Sequence, residues 1–284
     1  MVHKCDDQVV RLIEHLSEDF DVFVHIDRKA KCRIVSRKEN VFVYSKYNVY
    51  WGSYSLILAP LFLLRKAYGK KYDQYVLISG QDVPLKSNRE IIEYFSNNRG
   101  NEYIEYYELP RDIWSGNGGL DRIHYFHEFS KRRIEGGKAI DWFVNKMQNR
   151  IFSVLNKAMR SIGFRRNIPL KIYGGSNWIN ITHACLCDVL RFLNDHRWYL
   201  KKFRYTHCAD EIFFQTIILN LQHARNVCND SLRYVDWASG PEFPRVLRTV
   251  DGERIISSNA LFARKFDPGI DADIIDGLYE KIKS

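Results

Sequence analysis

No run of about eighteen apolar residues occurs in the 284-residue chain. The longest candidate, Leu56 to Leu64, is interrupted by Pro60, so no bilayer-spanning helix is expected. Met1 to Leu16 is too heavily charged for the apolar core of a signal peptide. Cysteine is sparse: Cys5, Cys32, Cys185, Cys187, Cys208 and Cys228 are too few and too scattered for a disulfide framework. A reducing, cytoplasmic setting is the expectation. His183, Cys185 and Cys187 alternate along a helix-like stretch and so point to different faces, which predicts no zinc site. There is no P-loop and no G-x-G-x-x-G, which removes the two commonest glycine-rich phosphate cradles. There is also no internal repeat, no low-complexity linker and no recognisable nucleic-acid-binding motif, so nucleic acid is not an expected partner.

What is present is a core-forming composition, 45% hydrophobic and 14% aromatic, enough for one large domain. The net charge of +9 is concentrated. Residues 131–166 hold ten Lys or Arg against Glu135 and Asp141, and the same stretch carries Trp142, Phe143, Phe152, Leu155 and Phe164. It reads as a basic, amphipathic helical insert suited to the surface of an anionic membrane, or as a solvated face of an ordinary helix.

Helix-like and strand-like pieces alternate along the chain. Asp7–Leu16 is amphipathic; Phe20–Asp27 is a strand ending on an acid; Val41–Tyr44 is a second strand. Ser53–Tyr68 reads as a helix and Gln74–Ser79 as a buried strand leading into Gly80–Leu85. This βαβαβ pattern predicts a doubly wound, mainly parallel sheet, in which ligands bind at the carboxyl ends of the strands. Ser87–Asn97 opens with a capping box, Ser87-Asn88-Arg89-Glu90. A strand at Glu102–Glu105, a glycine-rich loop at Asp112–Gly119, a helix at His183–Asn194, a loop-rich tail and a last helix at Asp271–Lys283 follow. Gly174-Gly175 before Ser176-Asn177-Trp178 signals a close backbone approach to a ligand, or a tight turn.

Asp210 and Glu211 stand directly before the apolar run Ile212–Leu219, in the first turn of a predicted helix. An acid there is either an N-cap or a carboxylate aimed into a cleft. Asp210 is read as the cap.

Six motifs carry a resemblance: Val24–Lys29, Trp51-Gly52-Ser53, Ser79–Lys86, Gly175–Trp178, Asp210-Glu211 and Phe262–Asp267. In order and spacing they resemble the core-2/I-branching glycosyltransferases, glycosyltransferase family 14, and the chain looks like a bacterial member. The resemblance implies an α/β, GT-A (Rossmann-like) fold with a mainly parallel central sheet flanked by helices, plus the basic insert. It implies one domain over residues 1–284, with a nucleotide-binding half in 1–100, an acceptor and catalytic half in 101–130 and 167–284, and the insert at 131–166.

The implied activity is metal-independent, inverting transfer of a sugar, with N-acetylglucosamine leading and xylose and galactose as alternatives. The donor is a UDP-sugar, which is a substrate, and no cofactor is implied; the acceptor is a glycan hydroxyl, lipid-linked in a bacterial surface polysaccharide. Asp-x-Asp, which usually holds the donor's cation, is replaced here by Gly80-Gln81-Asp82. Asp19-Phe20-Asp21 and Asp271-Ala272-Asp273 match the pattern but open a strand and a helix. By the resemblance Glu211 is the general base, its motif reading Ala209-Asp210-Glu211 where animal members have Pro first. Asp27 contacts the uridine, and Val2 and His3, the remnant of a first strand, touch the uracil. Lys265 and Arg264 meet the diphosphate, Arg264 standing where animal members have Asn; Arg245 or Arg248 is their upstream partner. Glu105 binds acceptor hydroxyls, and Glu108, Trp114, Arg122 and Trp178 line the same cleft. The rival reading is a non-catalytic basic protein binding anionic glycan, membrane or nucleic acid through residues 131–166.

Overall fold

The computed structural model describes residues 1–127, 139–240 and 244–283, with side chains from 146 onward in the second stretch. The charges expected at 131–138, the rings of Trp142 and Phe143, and Pro241 therefore lie outside the described residues. In order the elements are α1 (Asp7–Leu16), β1 (Val22–His25), β2 (Val41–Tyr44), α2 (Ser55–Ala67), β3 (Gln74–Val76), β4 (Val83–Pro84), α3 (Asn88–Asn97), β5 (Glu102–Ile104) and β6 (Tyr107–Glu108). Two short turns, α4 (Ser115–Gly118) and α5 (Asp121–His124), precede the long α6 (Ala139–Ser161). Then come β7 (Tyr173–Gly174), β8 (Ile179–Thr182), α7 (His183–Asp195), α8 (Arg197–Lys202) and α9 (Asp210–Leu219). The chain ends with β9 (Val227–Cys228), β10 (Arg233–Val235), α10 (Gly252–Ile256), β11 (Phe262–Arg264) and α11 (Asp273–Lys283).

Local chemistry sets several boundaries. Asp6 caps α1 by accepting from the Val9 amide, and the capping box of α3 forms with Ser87 and Glu90 as its reciprocal pair. Asp271 accepts from the Ile274 amide at the start of α11, the capping role expected of it. The tail, read as mostly loop, holds the short α10 and β11, with β10 just before it. Its short strands are visible only through pairing, because Arg233–Val235 lies parallel to Phe262–Arg264 and β11 lies antiparallel to β4.

The sheets are mixed. β1 runs parallel to β2, and Val2 bridges to Ile26 in parallel, so the residues read as a strand remnant do take a place beside β1. The β8 strand runs antiparallel to both β3 and β5, and β5 pairs in parallel with β9. The α/β class holds, but a mainly parallel sheet does not describe it: β8 leads straight into α7 and enters the sheet against its neighbours. Periodicity reports that a strand exists, not its direction.

The largest core packs α2, α7, α8 and α9 around β3, β5 and β8. The α9 helix is buried all round rather than on one side, with Ile212, Phe213, Thr216, Ile217 and Ile218 at 0% exposure. Tyr199 from α8 donates its hydroxyl to the Phe213 carbonyl at 2.9 Å and packs on Phe203 and Phe213. Truncating Phe213 there would cost about 3–5 kcal/mol. The helix that carries the two acids is thus one of the most firmly fixed in the molecule.

One cysteine expectation is corrected. Cys5 and Cys32 form a disulfide across 27 residues, joining the start of α1 to the loop after β1. Cys185, Cys187, Cys208 and Cys228 are free thiols; His183 and Cys187 both border Tyr68, whereas Cys185 lies with Glu102 and His223.

Candidate active site

The entry into α9 is shaped by two tight approaches. Gly52 has a φ of +70°, and a Cβ there would meet the His207 ring at 2.8 Å; its carbonyl accepts from the Cys208 amide at 2.8 Å. Trp51-Gly52-Ser53 therefore brackets the residues just before the two acids. Gly175 provides the second approach: a Cβ would fall 1.8 Å from the Glu105 carbonyl oxygen, and its amide donates to the Glu211 carbonyl at 2.9 Å. The close approach at the glycine pair is to the chain's own backbone rather than to a ligand, and it brings Glu105 beside Glu211.

Asp210 does not cap α9. Ala209 occupies the N-cap position and Asp210 is the first helical residue, buried, with Oδ2 accepting from Asn177 Nδ2 at 3.2 Å and Oδ1 without a partner. Burial, reinforced by the charge of Glu211, pushes its carboxyl up to about 7. Glu211 points the other way and is partly exposed, bonded to Arg122 Nη1 at 2.5 Å. Burial pushes its carboxyl up as well; the Arg122 bond and charge oppose that rise, and the nearby Glu105 charge supports it. The helix terminus, which would favour the charged form, is outweighed by desolvation.

Arg122 links these acids to an aromatic wall. Its guanidinium lies 4.0 Å from the centre of the Trp114 ring, Trp114 meets Tyr107 edge-on, and the Tyr107 hydroxyl donates to Glu105 at 3.0 Å. Glu211, Arg122, Trp114 and Glu105 are therefore brought together, with Tyr107 as a member that the sequence did not flag. Glu108 turns away: it is exposed and paired with Lys171 at 2.7 Å, because adjacent strand residues face opposite sides. Trp178, expected in this group, is buried and packs elsewhere.

Trp178 lies under Arg264, whose guanidinium is 4.3 Å from the ring centre, with Arg233 at 5.6 Å. Arg264 Nη1 is 3.7 Å from Asp82 Oδ1. Asp82 is fully buried and accepts from the Ser79 amide at 3.0 Å and the Ser79 hydroxyl at 2.8 Å. A guanidinium and a turn already engage this carboxylate. The other Asp-x-Asp acids are also engaged: Asp19 accepts from Asn88, and Asp21 from the Tyr72 hydroxyl. Arg233 is a second, unforeseen cation of this floor, bonded to Asn180 Oδ1 and to the Ser231 and Leu77 carbonyls. Burial brings it down to about 10.

Beside this floor, the backbone amide of Phe266 donates to the Gln81 carbonyl at 3.0 Å. Lys265 thus follows Arg264 at the rim of a shallow cleft lined by His3, Lys4, Gly80, Gln81, Phe266 and Asp267. Val2 is buried beneath, and Asp27 Oδ1 accepts from the Lys29 and Val49 amides at 3.0 and 3.1 Å. Of the two upstream arginines, Arg245 is committed to Asp236 and Asp251, at 2.9 and 2.6 Å, and Arg248 is exposed. Both partners of Arg245 are local, so it braces its own loop.

Among the described residues, Glu102, Cys185 and His223 offer donor atoms within 4.8 Å of one another. Both Glu102 oxygens accept from Thr182, at 2.7 and 2.6 Å, and His223 Nε2 faces Asp188 at 2.9 Å. The cluster is accounted for as a polar anchor of α7 on β5.

Two clusters thus flank one turn. Gly174–Trp178 touches the acids at Gly175 and Asn177 and the guanidinium floor at Trp178. Comparison with known proteins shows what the chain is similar to. The chain is 26% identical over 226 residues to beta-glucuronosyltransferase GlcAT14A of Arabidopsis thaliana, covering 75% of this chain and 44% of that protein. It is 22% identical over 301 residues to xylosyltransferase 2 of Rattus norvegicus, covering 95% and 31%, and 21% identical over 311 residues to xylosyltransferase oxt of Drosophila pseudoobscura pseudoobscura, covering 96% and 31%. The chain therefore spans less than half the length of each of these relatives. Residues 3–259, which include every motif but the final one, match the sequence profile described as Core-2/I-Branching enzyme, and the chain belongs to that family.

Proposed function

We propose that the protein is an inverting glycosyltransferase of GT-A type that transfers a sugar from a UDP-sugar to a glycan hydroxyl, with Glu211 as general base. The observation that carries this reading is the opposite charge balance of the two clusters on the Gly174–Trp178 turn. One cluster offers a partly exposed carboxylate whose basicity is raised by burial; the other offers an excess of buried positive charge. In the step itself, the acceptor oxygen forms a bond to the anomeric carbon as that carbon's bond to the diphosphate oxygen breaks. The acceptor proton passes to Glu211, and the charge left on UDP is met by Arg264 and Lys265. Glu105 and the Trp114 wall hold the acceptor, and Asp27 with Val2 and His3 holds the uridine.

Metal independence is part of the proposal, supported by the engagement of Asp82 with Ser79 and Arg264. The sugar is N-acetylglucosamine in this reading; the relatives' names speak of glucuronosyl and xylosyl transfer, so UDP-xylose and UDP-glucuronic acid are the donors to test against it. The setting proposed is the bacterial cytoplasm, with a lipid-linked acceptor of a surface polysaccharide. The Cys5–Cys32 bond is the feature that speaks against a strictly reducing compartment, and thiol titration before and after reductant checks it. The deciding experiment is calorimetric titration with UDP in EDTA, followed by transfer assays across nucleotide sugars. Binding in EDTA, with transfer lost but UDP binding kept in Glu211→Gln, is expected. Binding that appears only with a divalent cation overturns the metal-independent reading, and undiminished transfer by the variant overturns the assignment of the base.

A further inference from the structure

We propose that α6 is a docking helix that lies in the surface of an anionic bilayer. Its inner face is fastened to the body. Phe152 stacks on Phe126, Asn156 bonds both the amide and the carbonyl of Phe126 at 2.9 and 2.6 Å, and Arg160 pairs with Asp121 at 3.0 Å and covers the Tyr125 ring. Its outer face is aliphatic. Met147, Ile151, Val154, Leu155, Ala158 and Ile162 are all exposed, Val154 at 69% and Ile162 at 76%, and the Ile162 amide still donates to Ala158. Their spacing at 3.6 residues per turn places them within about 100° of the helix surface, in a stripe roughly 22 Å long. Phe164, 57% exposed, follows directly. Elsewhere among the described residues the exposed large apolar side chains are scattered singly, which needs no explanation; here six fall between residues 147 and 164.

The border of the stripe identifies the occupant. Lys146, Arg150 and Lys157 are exposed and run along one flank at helical spacing, and from Trp142 to Phe164 the sequence contains no Asp or Glu. Nucleic acid would use the cations but has no use for an aliphatic stripe, while a second copy of this chain would set two rows of like charge against each other. Acyl chains beneath anionic headgroups match both features. The helix lies on the bilayer rather than across it, since no described helix is long and apolar enough to cross a membrane. The inner-face anchors are residues 121–126, the segment that supplies Arg122 to Glu211. Docking would therefore hold the acid cluster at a set height above the bilayer, a consequence that rests on the proposed function; the docking itself does not.

The test is flotation of the full chain with phosphatidylglycerol–phosphatidylcholine vesicles against phosphatidylcholine alone. Partition onto the anionic vesicles is expected, weakened about tenfold or more by Ile151→Asp with Val154→Asp, and about tenfold by Lys146→Glu with Lys157→Glu, which leaves every apolar contact in place. Circular dichroism and the melting temperature of both variants report that they are folded, and UDP binding is read separately as a test of the proposed function. Equal flotation with and without the anionic lipid overturns the proposal, as does wild-type flotation by both variants. So does light scattering that finds a dimer which the Ile151→Asp, Val154→Asp variant dissolves.

Discussion

The two ends of the Gly174–Trp178 turn are built from the same materials in opposite proportion. Among the described residues, Asp210 and Glu211, with Glu105 beside them, face the cation Arg122 at one end; at the other Arg233 and Arg264 face Asp82, with Asp230 a weaker influence on Arg233. Neither cluster is neutral, and each surplus points to what is missing. Surplus negative charge in a desolvated place raises carboxylate basicity, the property a proton acceptor needs. Surplus positive charge leaves a place for an anion. An uncompensated charge in a desolvated place is costly to keep, and perturbed groups of this kind gather at functional sites.

The largest effect should come from removing the negative end's working member. Glu211→Gln keeps the shape and the Arg122 contact but cannot take a proton, so transfer should fall about a thousandfold while UDP affinity is unchanged. Next is the positive end. Arg264→Ala should cost about a hundredfold in transfer and weaken UDP binding, with no rescue by Mg2+ or Mn2+. Arg245→Ala is the matched control: it should lower the melting temperature by releasing Asp236 and Asp251, with UDP affinity intact. If Arg245→Ala lost UDP and Arg264→Ala did not, the positive end would have been misplaced.

The third effect concerns stability and separates Asp210 from Glu211. Asp210 is an acid whose folded value, about 7, lies above its ordinary 3.8. The folded form keeps its full advantage below the lower value and loses it as pH rises through the upper one. Asp210→Asn, which can still accept from Asn177, should therefore be more stable than the parent above neutral pH, by about 2 kcal/mol, and no more stable at pH values near 4. Melting temperatures across that range decide it; a constant difference at all pH values would mean that Asp210 is not the titrating group.

These residues also mark how far the sequence could be read. The place of Glu211 in the first turn of a helix was legible from the apolar run Ile212–Leu219, while its role as base came only from the resemblance; α1, β2 and the Ser87 capping box were legible because their signals are local. The role of Asp210 was not legible: capping or burial depends on whether the loop at Asn177 closes over it, a contact across 33 residues. Trp178 was assigned to the wrong cluster for the same reason, since its place is fixed by Arg264 and Arg233 from the far end of the chain. Arg233 and Tyr107 gave no signal, as neither sits in a motif. The Cys5–Cys32 pair was hidden because two of six scattered cysteines carry no spacing pattern.

The smallest effect, and the one that tests the comparison most directly, is at Arg122. Its bond and charge restrain the rise that burial imposes on Glu211. Removing them with Arg122→Gln should move the Glu211 carboxyl further up, so that more of the base is protonated at neutral pH. The acid limb of the kcat/KM profile should move to higher pH, so that the loss of transfer is greatest on the acid side and activity recovers on the alkaline side. If Arg122 only supported the Trp114 ring, loss would be uniform across pH. Arg122→Lys, which keeps the charge but gives up the planar contact, separates the two. A restored pH profile assigns Arg122 to the electrostatics of the base, and an unrestored, pH-independent loss assigns it to the wall.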